Sequence, residues 1–281
     1  MNEASRLPTV LPHEGESLPA FLARAADIFH WPTETRSDDI ALLARLIEET
    51  APPATAHEDA SRLLRALSFV ADPSMALRNL DRYLRSCEPD PSREIARLRD
   101  NPEHLHFLCS LFSFSDYLSE VAISHRDFLP WVMTKGKLNR EKKLDQYRSD
   151  VKQWIANVNG RPNRRAALTR FKKRELLRIG IRDLLELGAT EPLCRELSNL
   201  AQAILEVCYK DVRDDLVMRF GEPISEDDGA VSGYCIYAMG KFGAGELNFS
   251  SDIDLIFLYD DEGLTSGLAG CLGLLVVAAA G

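Results

Sequence analysis

From Glu58 onward the apolar residues recur at helical spacing, with Leu63, Leu64, Leu67 and Val70 followed by Met75, Leu77, Leu80 and Leu84. Recurrence at i, i+3 and i+4 lays a single apolar stripe along a helix, so several helices of modest length are predicted here. The stretch His104 to Val132 is denser: Leu105, Phe107, Leu108, Leu111, Phe112, Phe114, Tyr117, Leu118, Val121, Ile123, Phe128, Leu129 and Trp131 exceed what one face can hold. It is expected to form the centre of a helical core. Residues 1–57 carry many of the prolines, including Pro52-Pro53, around helical patches at Leu18 to Phe29 and Ile40 to Glu49. This segment reads as a variable, loosely built leader. Further on, Leu168, Phe171, Glu175, Arg178, Arg182 and Leu185 again fall at helical intervals, with Gly188 as a C-terminal stop. Pro192, at a first-turn position, opens an amphipathic stretch through Leu193, Leu197, Leu200, Ile204, Leu205 and Cys208 towards Phe220.

After an acidic, glycine-bearing connector from Gly221 to Gly233, the period changes. Tyr234 to Ala238 is a short apolar run bounded by Gly233 and Gly240, and Ile253 to Tyr259 is rich in β-favouring residues before the turn Asp260 to Gly263. Two strands bracketing the loop Met239 to Ser251 are predicted. The fold class is α+β, divided into the leader 1–57, a helical domain 58–160, a segment 161–263 holding a basic helix, a second helix and the hairpin, and an apolar tail 264–281.

Composition narrows the function classes. A chain of 281 residues has length for about two domains. Its formal charge of -9 is opposite in sign to that of a protein that coats nucleic acid, so no nucleic-acid partner is expected. Against that acidity the run from Lys135 to Arg182 stands out as basic, with a helix bearing one basic face as the economical reading. Cys87, Cys109, Cys194, Cys208, Cys235 and Cys271 form no CxxC pair, the usage of free thiols in a reducing cytoplasm. Met1 to Leu11 lacks the apolar core of a signal peptide, and Leu264 to Gly281 is glycine-interrupted and shorter than the ~20 apolar residues that cross a bilayer. No membrane association is expected. His104, His106 and His125 lack ligand spacing and are read as structural or surface residues.

The chemistry lies in the loop and the second strand. Asp252 and Asp254, one residue apart at a strand start, place two carboxylates on one side, with Ile253, Leu255 and Phe257 expected on the opposite, buried face. Paired carboxylates repel unless a hard cation lies between them, and Mg²⁺ favours carboxylates together with phosphate oxygens and water. Upstream, Gly240, Lys241, Gly243 and Gly245, with the hydroxyls of Ser250 and Ser251, are candidates for a phosphate-cradling loop. A solvated turn lysine is an equally good reading of Lys241. Glu246 and Asn248 are expected to brace the loop by side-chain to backbone hydrogen bonds.

Met239-Gly240-Lys241, ten intervening residues, then Asp252-Ile253-Asp254 resembles the signature of DNA-polymerase-β-like nucleotidyltransferases. The whole string from Met239 to Phe257 is similar to the motif of the bifunctional glutamine synthetase adenylyltransferase/adenylyl-removing enzymes, and Arg170 to Leu184 is similar to the basic helix that precedes their catalytic sheet. The resemblance implies a mainly helical leader followed by the first strands of a nucleotidyltransferase domain, incomplete at the C-terminus. It implies Mg²⁺ on Asp252 and Asp254, ATP or ADP and inorganic phosphate as substrates or products, and glutamine synthetase as protein substrate. A nitrogen-signalling regulatory protein is a further implied partner. The order of segments resembles the N-terminal, adenylyl-removing part, whose reaction is phosphorolysis of a tyrosine-bound AMP to give ADP. For Arg174 and Arg178 three readings stay open: a phosphate pocket, an acidic partner surface, or a solvated face. Such folds use a third carboxylate on a later strand, which this chain does not supply, and the uncharged stretch Leu264 to Gly281 departs from the family pattern. A truncated or frame-shifted end is therefore expected. Two other readings remain: a catalytically silent fragment or binding module, and a nucleotidyltransferase with another substrate.

Overall fold

The computed structural model describes residues 10–87 and 91–267. The chain divides into two compact units, one running up to Lys137 and including Gly180–Leu185, the other comprising Leu138–Ile179 and the residues from Glu186. The boundaries expected near residues 57 and 160 give way to one at Lys137.

The first unit is helical throughout its described residues: α1 (Leu18–Ile28), α2 (Arg36–Thr50), α3 (Ala56–Leu67), α4 (Pro73–Arg85), α5 (Pro91–Asp100), α6 (Pro102–Phe114), α7 (Asp116–Ser124) and α8 (Phe128–Val132). Several of its prolines lie at helix starts, while Pro52 and Pro53 lie in the turn between α2 and α3. Pro19 lies in the first turn of α1, and Pro73 and Pro102 open α4 and α6, positions whose N–H has no intrahelical acceptor. Side-chain caps mark the same starts. Asp72 accepts from Met75 N at 2.8 Å, Asn101 from His104 N at 3.1 Å and Ser115 from Leu118 N at 3.3 Å.

The leader reading is therefore corrected for the described residues. Phe21, Leu22, Ala25, Leu43, Leu46 and Ile47 are fully buried where α1 and α2 pack against each other and against α3. The buried Asp39 carboxylate fastens this corner, accepting from Trp31 Nε1 at 2.9 Å, Thr35 Oγ1 at 2.6 Å and Ser74 Oγ at 2.5 Å. The dense stretch from His104 resolves into α6, α7 and α8. Its histidines lie against aromatic rings: His104 by Phe107, His106 by Phe69 and His125 by Phe128.

The second unit contains α9 (Leu144–Ile155), α10 (Arg161–Leu184), α11 (Thr190–Phe220), β1 (Pro223–Ser225), β2 (Tyr234–Ala238), α12 (Gly240–Ala244), β3 (Leu255–Tyr259) and β4 (Gly263–Thr265), the last turn of α10 counting with the first unit. Helix α10 stops before the expected Gly188, because Glu186 adopts a left-handed conformation (φ 52°). Pro192 sits in the first turn of α11, as its position predicts, and α11 runs 31 residues to Gly221.

Strands β2 and β3 pair antiparallel from Tyr234↔Tyr259 to Ala238↔Leu255. A separate ribbon pairs β1 with β4, Pro223↔Thr265 to Ser225↔Gly263. The tail expected from Leu264 thus begins inside a strand; its residues beyond 267, including Cys271, lie outside the described residues. The architecture is α+β and mostly helical. Among the described residues the other five cysteines are free thiols, and no helix is long and apolar enough to cross a membrane.

Candidate functional site

The segment 239–257 is seated on helices of its own unit by two apolar side chains. Phe242 and Leu247 are buried in a cluster with Phe171, Leu193, Leu197 and Leu200, and Ala238 and Leu255 pack against its edge. Burying these two large side chains gives an exposed turn a fixed base.

Within that segment the expected open loop is a short helix followed by a braced turn. Gly240 opens α12 with φ 53°, and Gly245 closes it in a left-handed conformation at φ 75°. A Cβ at Gly243 would stand 2.4 Å from the carbonyl oxygen of Ala238, so that position admits glycine alone. The backbone donors proposed for phosphate at Gly243 and Gly245 are engaged internally. Gly243 N–H bonds Met239 O at 3.0 Å and Gly245 N–H bonds Phe242 O at 3.1 Å. Ser250 and Ser251 likewise act inside the turn, donating their hydroxyls to Asn248 Oδ1 at 3.1 and 2.6 Å. Asn248 is thus the brace its side chain predicts. Lys241 is exposed on α12.

Asp252 and Asp254 lie immediately before β3, both exposed. Asp254 is tied through its main chain. Its carbonyl accepts from Met239 N–H at 2.8 Å, and its carboxylate lies 3.3 Å from where a Cβ on Gly240 would stand. The missing Cβ lets the backbone at the head of α12 come up against this carboxylate. Ile253 departs from expectation: it is 44% exposed, because the paired strands begin only at Leu255 and nothing covers the residue before them. Leu255 and Phe257 do face inward, half-buried, leaving Ile256 and Leu258 outward.

Arg178 and Arg174 are not part of this turn, and the solvated basic face expected of α10 is corrected at both positions. Arg178 is fully buried. Its Nε donates to Glu175 Oε2 at 2.8 Å, and its Nη2 donates to the Tyr147 hydroxyl at 2.7 Å and to Glu196 Oε1. The Tyr147 hydroxyl donates in turn to Glu196 Oε1 at 3.2 Å. Lys142 completes the network, its Nζ reaching Glu175 at 2.9 Å and Asp150 at 2.7 Å while its backbone N–H donates to Glu196 at 3.0 Å. Burial alone raises the Glu175 carboxyl, but the charges of Arg178 and Lys142 and their hydrogen bonds outweigh it and hold the group below its ordinary value. Burial drives the Tyr147 hydroxyl well above its usual range. Arg174 stacks over the Trp154 ring, 4.1 Å from its centroid, and lies 3.3 Å from Glu175.

Sequence reasoning passed over the residues that hold the turn. Phe242 and Leu247 had a signal, two isolated large apolar residues in a glycine-rich stretch. Ser198, whose hydroxyl accepts from Leu247 N–H at 3.1 Å, and Glu196 had none. Among the described residues no group of three or more His, Cys, Asp or Glu side chains is placed to hold a metal ion. The two exposed carboxylates suit a hard cation that takes its other ligands from phosphate and water.

These features define an α+β protein, mostly helical, in which a glycine-lysine turn and a paired-aspartate strand entrance are seated on a long helix. The sequence profile of the glutamate-ammonia ligase adenylyltransferase family matches residues 105–271, more than half of the chain, and the chain belongs to that family. It is similar to the bifunctional glutamine synthetase adenylyltransferase/adenylyl-removing enzyme of Nitrosococcus oceani, 32% identical over 163 residues that make up 58% of this chain and 17% of the relative. The protein of the same name from Pseudomonas aeruginosa is 33% identical over 174 residues, 62% of this chain and 18% of the relative. That from Shewanella loihica is 30% identical over 186 residues, 66% of this chain and 18% of the relative. The matched stretch thus spans under a fifth of each relative's length.

Proposed function

We propose that this chain carries the opening part of a nucleotidyltransferase-type module that acts on glutamine synthetase, in the adenylyl-removing sense. The observation that carries the reading is the exposed Asp252 and Asp254 pair at the entrance of β3, with Asp254 O accepting from the N–H of Met239, the residue before the Gly240-Lys241 turn, inside the segment matched by the family. The names of the relatives support glutamine synthetase as the protein substrate. In this reading the hairpin β2–α12–β3 begins a DNA-polymerase-β-like fold.

Asp252 and Asp254 would hold Mg²⁺, which when bound supplies neutralisation of the phosphoryl charge. The exposed ammonium of Lys241, on the helix that leads out of β2, adds a point charge for phosphate oxygens. Asn248, by accepting hydrogen bonds from the hydroxyls of Ser250 and Ser251, fixes the backbone that delivers the first carboxylate. The reaction is a phosphorolysis: an oxygen of inorganic phosphate forms a bond to the adenylyl phosphorus, the bond to the tyrosine oxygen breaks, and the tyrosine leaves to take a proton while ADP is released.

Incubating the chain with adenylylated glutamine synthetase, Mg²⁺ and phosphate, and assaying ADP, tests this directly. Phosphate-dependent ADP is the expected product. Binding of the adenylylated substrate without ADP would favour the binding-module reading.

A further inference from the structure

We infer that Ser198, on α11, is a positioning residue for the Asp252 and Asp254 site, acting through the main chain of Leu247; this rests on the metal reading proposed above. Ser198 is buried, 6% exposed, and its hydroxyl is used in both directions. It donates to Cys194 O at 2.9 Å, one turn back on α11, and accepts from Leu247 N–H at 3.1 Å. The first bond orients the hydroxyl, so that its lone pair faces the amide of a residue 49 positions further along the chain.

Leu247 stands at a mechanical junction of the turn. Before it, Glu246 N–H bonds Lys241 O at 2.8 Å and closes the α12 segment. After it, Asn248 gathers Ser250 N–H and the hydroxyls of Ser250 and Ser251, and Asp252 follows at once. The Leu247 side chain is fixed in the apolar cluster beside Leu197 and Leu200, but apolar packing is non-directional and leaves rotation about the backbone free. The Ser198 bond removes that freedom, because a hydrogen bond weakens steeply away from linear geometry.

The helix that carries Ser198 is itself fixed two residues earlier. Glu196 is fully buried and receives Arg178, the Tyr147 hydroxyl and the Lys142 backbone N–H. The buried ion network and the exposed carboxylates are therefore linked through one turn of α11, with Ser198 as the last side chain of that helix in the connection. Removing the hydroxyl leaves Leu247 N–H buried without an acceptor while every apolar contact stays.

The test uses the full chain and its Ser198→Ala and Ser198→Thr variants, with Mn²⁺ alone as probe, titrated by electron paramagnetic resonance, and amide hydrogen exchange of the 245–251 segment alongside thermal melting. Ser198→Ala is expected to weaken Mn²⁺ binding by about tenfold, the scale for residues that support metal ligands, and to speed exchange at Leu247. Ser198→Thr, which keeps a hydroxyl, restores both. The melting curves separate this role from a general loss of fold, which would accelerate exchange throughout the unit. Equal Mn²⁺ affinity in wild type and Ser198→Ala, or unchanged exchange at Leu247, overturns the inference while leaving the metal reading intact. A wild-type chain that binds no Mn²⁺ overturns the metal reading, and the positioning role goes with it.

Discussion

At the scale of single residues, this protein separates groups that face solvent and carry chemistry from charged groups enclosed to hold structure. Asp252 is exposed, so Asp252→Asn should change stability by less than about 0.5 kcal/mol. The same variant should lose Mg²⁺-dependent ADP release. Turnover at the wild-type level in it would remove Asp252 from the metal site. Arg178 behaves in the opposite way. It is enclosed with Glu175 and Glu196, and taking away one member of a buried ionic group leaves uncompensated charge. Arg178→Met should destabilise the fold by about 3–5 kcal/mol in urea unfolding, and a loss under 1 kcal/mol would mean that water reaches the site. Both residues were identified in the sequence by charge and spacing. Their opposite environments were not, because Glu196 and Tyr147, which decide the matter for Arg178, lie on other helices.

Among the elements, the prolines and the isolated apolar residues proved the most informative. Proline reads as a breaker until its position in a helix is known, and here Pro19, Pro73, Pro102 and Pro192 all lie in first turns. The segment 18–57 was therefore undervalued, since its apolar residues build two helices of the core. The strand Tyr234 to Ala238 was legible to the residue, because Gly233 and Gly240 bound an uninterrupted apolar run. Phe242→Ala should cost about 3–5 kcal/mol by chemical denaturation, the range for emptying a buried aromatic site. It should also raise hydrogen exchange across 239–247; protection as in wild type would show that Leu247 alone suffices. In the first unit, a Cβ on Gly180 would meet Leu118 Cδ1 at 2.3 Å. Gly180→Ala therefore gains helix propensity of about 1 kcal/mol and loses more through displacement of Leu118. A net fall in melting temperature is expected, and the same substitution should cost less when made in a Leu118→Ala background.

For the whole molecule, the enclosed carboxylate of Glu175 ties stability to pH. Glu175 is held below its ordinary value of 4.5, so between its folded value and 4.5 the unfolded chain binds the extra proton and stability rises with pH. Its contribution is complete above pH 4.5 and is lost as pH falls through the folded value. Melting temperature should fall below about pH 4.5, and less steeply in Glu175→Gln, which has no carboxyl to titrate; identical slopes would assign acid lability to other groups. The sequence by itself determined the α+β class, the helix-then-hairpin order and the Gly-Lys to Asp-x-Asp segment, because these depend on local periodicity, turn chemistry and spacing along the chain; the family came from the resemblance of that segment to known relatives. Tertiary structure alone decided which charges are enclosed, that Gly243 and Gly245 shape the turn with their amides engaged within it, and that Ser198 supports the turn from α11. The first and the last of those depend on residues far apart in sequence meeting across a packed interior, where burial and partner, not residue type, set what a side chain does.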